Sequence, residues 1–293
     1  MPELSYCLGC PIWSKPEWVG NLFAKNAKPG DYLRQYASVF NTVEGNTTFY
    51  ALPKPATVQK WRAETPPEFR FCFKFPQTIS HHLRLQHAEN EARAFLDLMA
   101  PLGERLGPFF LQLPSSFGGS EFAALEAFLK MLPQEFHYAV EVRHLDFFKN
   151  GEVEQRFNAL LTSLHMGRVV FDTRGLHAVK APPKDAITRE AQRKKPKVPV
   201  RFLALGDLPF VRFVGDPVIE KNEALLLEWA QHVVEWIAAG KRPYIFMHAP
   251  NDVDAPHLAR YFHGLVRKLS AEVGDLPAWA GMKQQANVQM GLF

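Results

Sequence analysis

Residues 210–248, FVRFVGDPVIEKNEALLLEWAQHVVEWIAAGKRPYIFMH, contain the pattern that decides the fold. Two short apolar runs, Phe210–Val214 and Tyr244–His248, flank a longer stretch, Ala224–Ile237, in which apolar residues recur at intervals of three and four. This interval predicts an amphipathic helix with one buried face. A strand, a helix and a second strand in this order favour two parallel strands joined by a right-handed crossover.

The same alternation of short apolar runs and helical segments extends over the rest of the chain. Six further strands are predicted before these two, at Leu4–Cys10, Phe40–Glu44, Arg70–Phe75, Phe109–Leu113, His137–Val142 and Arg168–Asp172. Eight strand–helix units in about 250 residues have the size of a (β/α)8 barrel. We therefore predict an α/β protein, a single TIM-like barrel over residues 1–275 followed by a C-terminal tail at 276–293. A doubly wound open sheet is the alternative.

One connection between predicted strands is much longer than the others. Thr173 to Leu208 separates the sixth and seventh predicted strands, and it contains Pro182-Pro183 and the basic run Arg193-Lys194-Lys195-Pro196-Lys197. Connections of this length in compact domains are usually lids, binding loops or disordered segments. The pattern predicts a long basic insertion, residues 173–208, that overhangs the barrel mouth at the carboxyl ends of the strands. We interpret the basic run as a solvated loop, and a phosphate-binding patch is the alternative.

Composition and missing motifs exclude several classes of protein. The chain has 293 residues, 47% hydrophobic and 22% charged, which is typical of a globular protein with a sizeable core. Its net charge of +4 permits contact with nucleic acid or anionic metabolites without requiring it. No signal-peptide pattern and no membrane-spanning apolar stretch occur, so we expect a cytoplasmic protein without membrane contact. The G-x-x-x-x-G-K-[ST], G-x-G-x-x-G and G-x-S-x-G patterns are also missing, and no nucleotide cofactor is predicted.

In a barrel of this type, the active site is built from residues at the carboxyl ends of the strands. The polar residues at those ends include four candidates for acid–base catalysis: Glu44, Glu141, Asp172 and His248. Six others are candidates for substrate binding: Asn46, Tyr50, Lys74, Gln112, Arg143 and Arg212. We expect burial to raise the pKa of Glu44 or Glu141. The alternative is a structural network of ion pairs, such as Glu141 with Arg212.

The residue types limit the ligand. Lysine and arginine together suit a phosphate or carboxylate, so the pattern predicts a small anionic ligand. Carboxylates with a histidine can hold a divalent metal, but no H-x-H or H-E-x-x-H motif occurs, and the metal and cofactor stay unknown. Trp13 and Tyr50 are candidates for stacking on a sugar or base, or alternatively for capping the barrel.

The last residues of the sequence form a second candidate site. The spacing in Gln289-Met290-Gly291-Leu292-Phe293 resembles the short peptide that bacterial DNA-processing proteins insert into the replication sliding clamp. In such peptides the glutamine forms a hydrogen bond at the edge of a groove, and the apolar residues fill it. This predicts the DNA sliding clamp as a partner through Gln289, Met290, Leu292 and Phe293, and with it contact with nucleic acid. A frayed apolar end, or one folded back on its own domain, is the alternative.

Several segments together resemble the YecE-like family, domain of unknown function 72. They are residues 9–13, 36–50, 73–76, 111–114 and 140–144, of which VEGNTTFY at 43–50 is the most specific. The resemblance implies a TIM-like barrel and a pocket at motif positions Glu44, Asn46, Phe49, Tyr50, Lys74, Glu141, Arg143 and Arg212.

The resemblance implies no established activity, and two segments depart from the family pattern. Val214 stands where members often have histidine, and FMHAPN at 246–251 replaces a Phe-Asn-Asn-like run. Three functional hypotheses therefore remain: an enzyme acting on an anionic ligand, a non-catalytic adaptor for the sliding clamp, and, by fold analogy, a sugar or sugar-acid isomerase.

Overall fold

A computed structural model of the chain describes residues 4–280. Within these residues eight strands alternate with helices, and every hydrogen-bonded pair of strands is parallel. The strands are β1 Cys7–Gly9, β2 Thr42–Gly45, β3 Arg70–Phe73, β4 Phe109–Gln112, β5 Tyr138–Glu141, β6 Gly167–Asp172, β7 Phe210–Val214 and β8 Tyr244–His248. The helices are α1 Tyr32–Ala37, α2 Pro55–Glu64, α3 Glu89–Met99, α4 Phe122–Met131, α5 Glu152–Ser163, α6 Arg174–Ala178, α7 Ala186–Lys194, α8 Glu223–Ala238 and α9 Ala255–Leu269. The predicted α/β class and alternation of elements are confirmed.

The strands form two parallel sheets. Six of them lie in the order β1-β8-β7-β6-β5-β4, and β2 pairs with β3 in a separate sheet of two. Backbone hydrogen bonds join the sheets: Glu44 N donates to Cys10 O at 3.1 Å, Phe75 N donates to Phe110 O at 3.0 Å, and Gly107 N donates to Phe71 O at 2.9 Å. The smaller sheet therefore contacts both edge strands of the larger one.

The strands carry two different apolar faces. One face forms a small buried cluster of Cys7, Cys72, Phe110, Ala139, Val169, Phe210, Tyr244 and Phe246. Residues on the other face, among them Val140, Val211, Phe213, Ile245 and Met247, belong to the main core together with the helices. Since side chains alternate along a strand, residues two positions after the small cluster share its face. That face leads to the polar site.

The predicted insertion at 173–208 is more ordered than the sequence indicated. It contains α6 and α7, and Asp185 caps α7 by accepting a hydrogen bond from Thr188 N at 3.0 Å. Ala191 and Val198 pack in a buried cluster with Phe171 and Val214, at the ends of β6 and β7. Prolines and basic residues dominate the composition of residues 173–208, and for this reason the sequence pattern did not predict a helix with a small apolar face. The segment thus lies beside the carboxyl ends of the strands.

Packing also continues past residue 275, where the sequence placed the start of a tail. Leu276 and Trp279 are buried in the main core, and the Arg260 guanidinium lies 4.4 Å from the centre of the Trp279 ring. The clamp-like residues Gln289, Met290, Leu292 and Phe293 lie outside the described part of the chain. Among the helices at 4–280, none has both the length and the apolar character needed to cross a membrane.

Candidate functional site

A layer of polar side chains lies at the carboxyl ends of the strands, directly beyond the small apolar cluster. Lys74, Gln112, Glu141, Arg212 and His248 each follow a member of that cluster by two positions and therefore share its face. Above this layer is a cavity of about 490 Å³, lined by Lys74, Gln112, Arg143, Arg212 and His248, with Asn46 and Tyr50 on its wall. The structure thus brings together most of the site residues predicted from sequence.

Arg212 holds the two glutamates beneath the cavity. Its Nε and Nη2 donate to the two oxygens of Glu44 at 2.8 and 2.6 Å, and its Nη1 donates to Glu141 at 2.5 Å. Both glutamates are fully buried. A bidentate guanidinium–carboxylate pair is among the strongest hydrogen-bonded contacts in proteins, and it offsets much of the cost of burying the charges.

Neighbouring side chains occupy the remaining positions on both carboxylates. Asn46 Nδ2 donates to Glu44 at 2.6 Å, and Arg143 Nε donates to Glu141 at 2.6 Å. His248 Nε2 lies 3.1 Å from Glu44. Because an ionised carboxylate can only accept, the proton of a neutral His248 ring lies on Nε2. Burial lowers the pKa of His248, and the negative charge of Glu44 only partly opposes this.

The expectation of a raised pKa for the glutamates is wrong. Burial is the largest single influence and acts in that direction, but the charges and hydrogen bonds of Arg212 and His248 together outweigh it and hold the pKa of Glu44 well below its usual range. Arg212 and Arg143 likewise lower the pKa of Glu141 against the effect of burial. Both glutamates are therefore ionised at neutral pH and suited to fixing the arginines.

Lys74 has an environment unlike that of the other cations. It is 8% exposed, and its Nζ donates to Gln112 Oε1 at 2.6 Å and lies 3.6 Å from the centre of the Phe49 ring. Within residues 4–280, no carboxylate lies within 4.0 Å of this ammonium group. Burial, together with the charges of Arg212 and Arg143, lowers the pKa of Lys74 to about 7. The side chain is thus partly neutral at physiological pH.

The cavity is also lined by residues that were not among the selected site candidates. Lys195, after α7, and Asp252, after β8, both line the cavity, as does His81. The Lys195 ammonium group has no hydrogen bond or ion pair to any described residue. Its basic run was interpreted as a solvated loop, and nothing in a run of lysines and arginines distinguishes the one that turns inward.

The two candidate stacking residues lie in different places. Tyr50 is 74% exposed and packs edge-on against Phe49 at the cavity wall, where its ring is open to a ligand. Trp13 does not line the cavity: its ring packs edge-on against Trp61 of α2 at 5.3 Å and against Phe71 at 6.0 Å. Trp13 therefore serves the packing between strands and helices.

Asp172 is also separate from the cavity. It lies on the opposite face of β6 from Phe171, which lines the cavity. Its carboxylate accepts a hydrogen bond from Trp229 Nε1 of α8 at 2.8 Å and pairs with Arg174. Selecting Asp172 because it ends a strand was incorrect for this site, because side-chain alternation directs it toward the helices.

Across residues 4–280 the structure contains no group of three or more histidine, cysteine, aspartate or glutamate side chains placed to hold a metal ion. Glu44 and His248 are adjacent, but Arg212 and Asn46 already occupy the carboxylate. The described residues at the cavity thus offer hydrogen-bond donors and positive charge, which suit an anion.

The chain resembles proteins for which no function is stated. A family model described as "Protein of unknown function DUF72" matches residues 7–282. The chain is 45% identical over 271 residues to the protein named UPF0759 protein YecE of Escherichia coli K12, covering 92% of this chain and 96% of that one. The corresponding protein of Escherichia coli O157:H7 is 44% identical over the same length.

Two solved structures share the fold. A DUF72 family protein from Enterococcus faecalis V583 superposes with a TM-score of 0.69 at 20% identity, covering 89% of this chain and 95% of that one. A DUF72 family protein from Thermotoga maritima MSB8 gives a TM-score of 0.68 at 23% identity, covering 89% of this chain and 99% of that one. At these identities the likeness establishes the fold alone.

Proposed function

The chain belongs to the DUF72 family of proteins of unknown function, and from its site we propose that it is an enzyme acting on a small anionic ligand. The ligand carries a phosphate or carboxylate group and binds in the cavity at the carboxyl ends of the strands. The observation that carries this proposal is the set of cations around one cavity: Lys74, Arg143 and Lys195, with Arg212 at its base.

The charge balance at the cavity supports an anion. Glu44 and Glu141 both contact Arg212, and Glu141 also engages Arg143 through Nε. Lys74 and Lys195 have no carboxylate within ion-pair distance in the described residues. An anion that enters can form charge-assisted hydrogen bonds with these two ammonium groups.

Lys74 is the group suited to proton transfer. A general acid or base works best when its pKa lies near the operating pH, and Lys74 meets that condition with a pKa of about 7. Glu44 and Glu141, the candidates from sequence, bind the arginines too firmly to exchange protons near neutrality. In this proposal they position Arg212 and Arg143, and Lys74 moves the proton.

We further propose that the two sheets form one closed eight-stranded barrel. The hydrogen bonds from Glu44 to Cys10 and from Phe75 to Phe110 support closure at both junctions. A closed ring would fix the relative positions of Glu44 on β2 and Arg212 on β7, on which the anion site depends.

Binding of inorganic phosphate to the purified full chain, followed by calorimetry, tests the anion site. We expect Lys195→Met to weaken phosphate binding by about tenfold, because it removes one charge-assisted contact. Lys197→Met is the matched control, since Lys197 lies in the same basic run but outside the cavity lining. Equal affinity in the wild type and both variants, or no binding at all, would overturn the proposal.

A second candidate function is binding to the DNA sliding clamp. It is favoured by the sequence Gln289-Met290-Gly291-Leu292-Phe293, with Met290 as a volume-conserving exchange for the usual leucine. Deleting Leu292 and Phe293 should abolish binding to a purified bacterial clamp in surface plasmon resonance and leave phosphate binding unchanged. Asn287→Ala, just outside the motif, is the control. Unchanged clamp affinity after the deletion would remove this function.

The third hypothesis, sugar isomerisation, has no supporting observation beyond the fold. Its signature would be Trp13 and Tyr50 stacking together on a bound sugar, and Trp13 packs instead against Trp61 and Phe71.

A further inference from the structure

Hydrogen bonds and strand pairing fix the backbone of Lys74 on both sides. Its backbone N donates to Gly45 O at 3.2 Å, and its carbonyl accepts from Thr48 Oγ1 at 2.7 Å. A backbone bridge also pairs it with Phe110 at β4. The backbone is thus held from both neighbouring strands, which fixes the origin of the side chain relative to the cavity.

The amine is held at the cavity by contacts that do not neutralise it. Gln112 Oε1 and the Phe49 ring contact the amine, and neither carries a charge. The charged groups that act on it are the cations Arg212 and Arg143 and, in the opposite sense, Glu141 and Glu44. His81, on the segment after β3, has a pKa lowered to about 4, first by burial and then by Lys74, and is neutral near pH 7. The surroundings therefore favour the unprotonated amine.

An unprotonated lysine amine is a nucleophile, and desolvation beside another cation is a known way to activate it. We propose that Lys74 condenses with the carbonyl carbon of a small phosphorylated or carboxylated aldehyde or ketone and forms an imine. This inference rests on the proposed function, since the same cavity must bind the anionic group of that compound. Arg143 and Lys195 bind the anion, while Lys74 reaches the carbonyl.

The step balances without any further reactant. The Nζ lone pair forms the bond to carbon, and the carbonyl oxygen leaves as water with the two protons of the amine. The product is a carbon–nitrogen double bond, which becomes a cation when it takes up one proton from solvent. Nothing is oxidised or reduced. The positive imine then draws electrons from the neighbouring carbon, which makes its proton easier to remove.

Reductive trapping tests the imine on the full chain. The protein is incubated near pH 7 with glyceraldehyde 3-phosphate or with pyruvate, each with sodium cyanoborohydride, and the adduct is located by peptide mass spectrometry. The two compounds distinguish a phosphate from a carboxylate as the anionic group. We expect at least about tenfold more adduct at Lys74 than at exposed Lys197, because Lys74 lines the cavity and a pKa of about 7 leaves much of its amine unprotonated. Adduct at Lys74 no greater than at Lys197 would overturn the inference.

Two controls separate this inference from the anion site itself. Lys74→Met should lose the adduct. If that variant does not fold, peptide mapping of the wild-type adduct identifies the modified lysine instead. Phosphate binding is measured in parallel. Binding that Lys195→Met weakens, without an adduct at Lys74, would refute the imine and leave the proposed function in place. Absence of phosphate binding, together with no adduct at Lys74 from either compound, would refute both.

Discussion

At the scale of single residues, Arg212 is the centre of the site. It compensates two carboxylates that are fully buried, and removing one partner of a buried ion pair leaves an uncompensated charge. We expect Arg212→Met to lower the free energy of unfolding by about 3–5 kcal/mol. The difference in unfolding free energy between the wild type and Arg212→Met should decrease as the pH falls, because protonation of Glu44 and Glu141 then removes the unpaired charges. Chemical denaturation at several pH values measures both effects.

Arg193→Met provides the matched control for this loss. Arg193 pairs with Glu190 on an exposed face of α7, and such pairs contribute roughly 0–1 kcal/mol. A similar loss of stability in the two variants would contradict the role given to Arg212.

Lys74 gives the anion site a pH dependence. With a pKa of about 7, Lys74 is charged below that pH and neutral above it, so anion affinity should fall as the pH rises from 6 to 8. Sulfate is the suitable probe because its charge is constant over this range. We expect a loss of up to about tenfold. Lys74→Arg, which stays charged, should bind sulfate with a flat profile, whereas a sloping profile in that variant would assign the titration to another group.

At the scale of elements, Asp172 connects β6 with α8. Its hydrogen bond from Trp229 Nε1 is buried, and leaving such a donor poorly matched costs about 1–3 kcal/mol. We therefore expect Asp172→Asn to lower stability in thermal unfolding while phosphate affinity changes by less than about twofold. Reduced phosphate affinity with unchanged stability would show instead that Asp172 contributes to the anion site.

The elements also show how far the sequence could predict the structure. Strands such as β7 and β8 were evident because each is a short apolar run beside a periodic helix. Side-chain alternation along a strand predicted Glu141 correctly as a site residue. Asp172 was assigned to the site only because it ends a strand, and alternation would have excluded it. The inward Lys195 and the packing of Trp13 depend on contacts between distant segments, which local patterns do not encode.

At the scale of the whole molecule, the junction between β1 and β2 holds the two sheets together. A Cβ on Gly9 would lie 2.1 Å from the Thr42 carbonyl oxygen, so no larger residue fits without moving a strand. We expect Gly9→Ala to lower the unfolding temperature strongly and to weaken phosphate binding, since Glu44 lies on the displaced strand.

Gly264→Ala is the control for this change. Gly264 lies within α9, where an added Cβ meets nothing within 4 Å, and glycine to alanine in a helix is stabilising by about 0.5–1 kcal/mol. If Gly9→Ala were equally harmless, the close approach of β1 and β2 would not be needed for the fold.

The most direct test of the anion site is a crystal structure of the full chain equilibrated with inorganic phosphate. The account predicts a phosphate in the cavity, with oxygens about 3 Å from Lys74 Nζ and from Arg143 or Lys195. A cavity without phosphate, with both lysines paired to carboxylates of the protein itself, would contradict it.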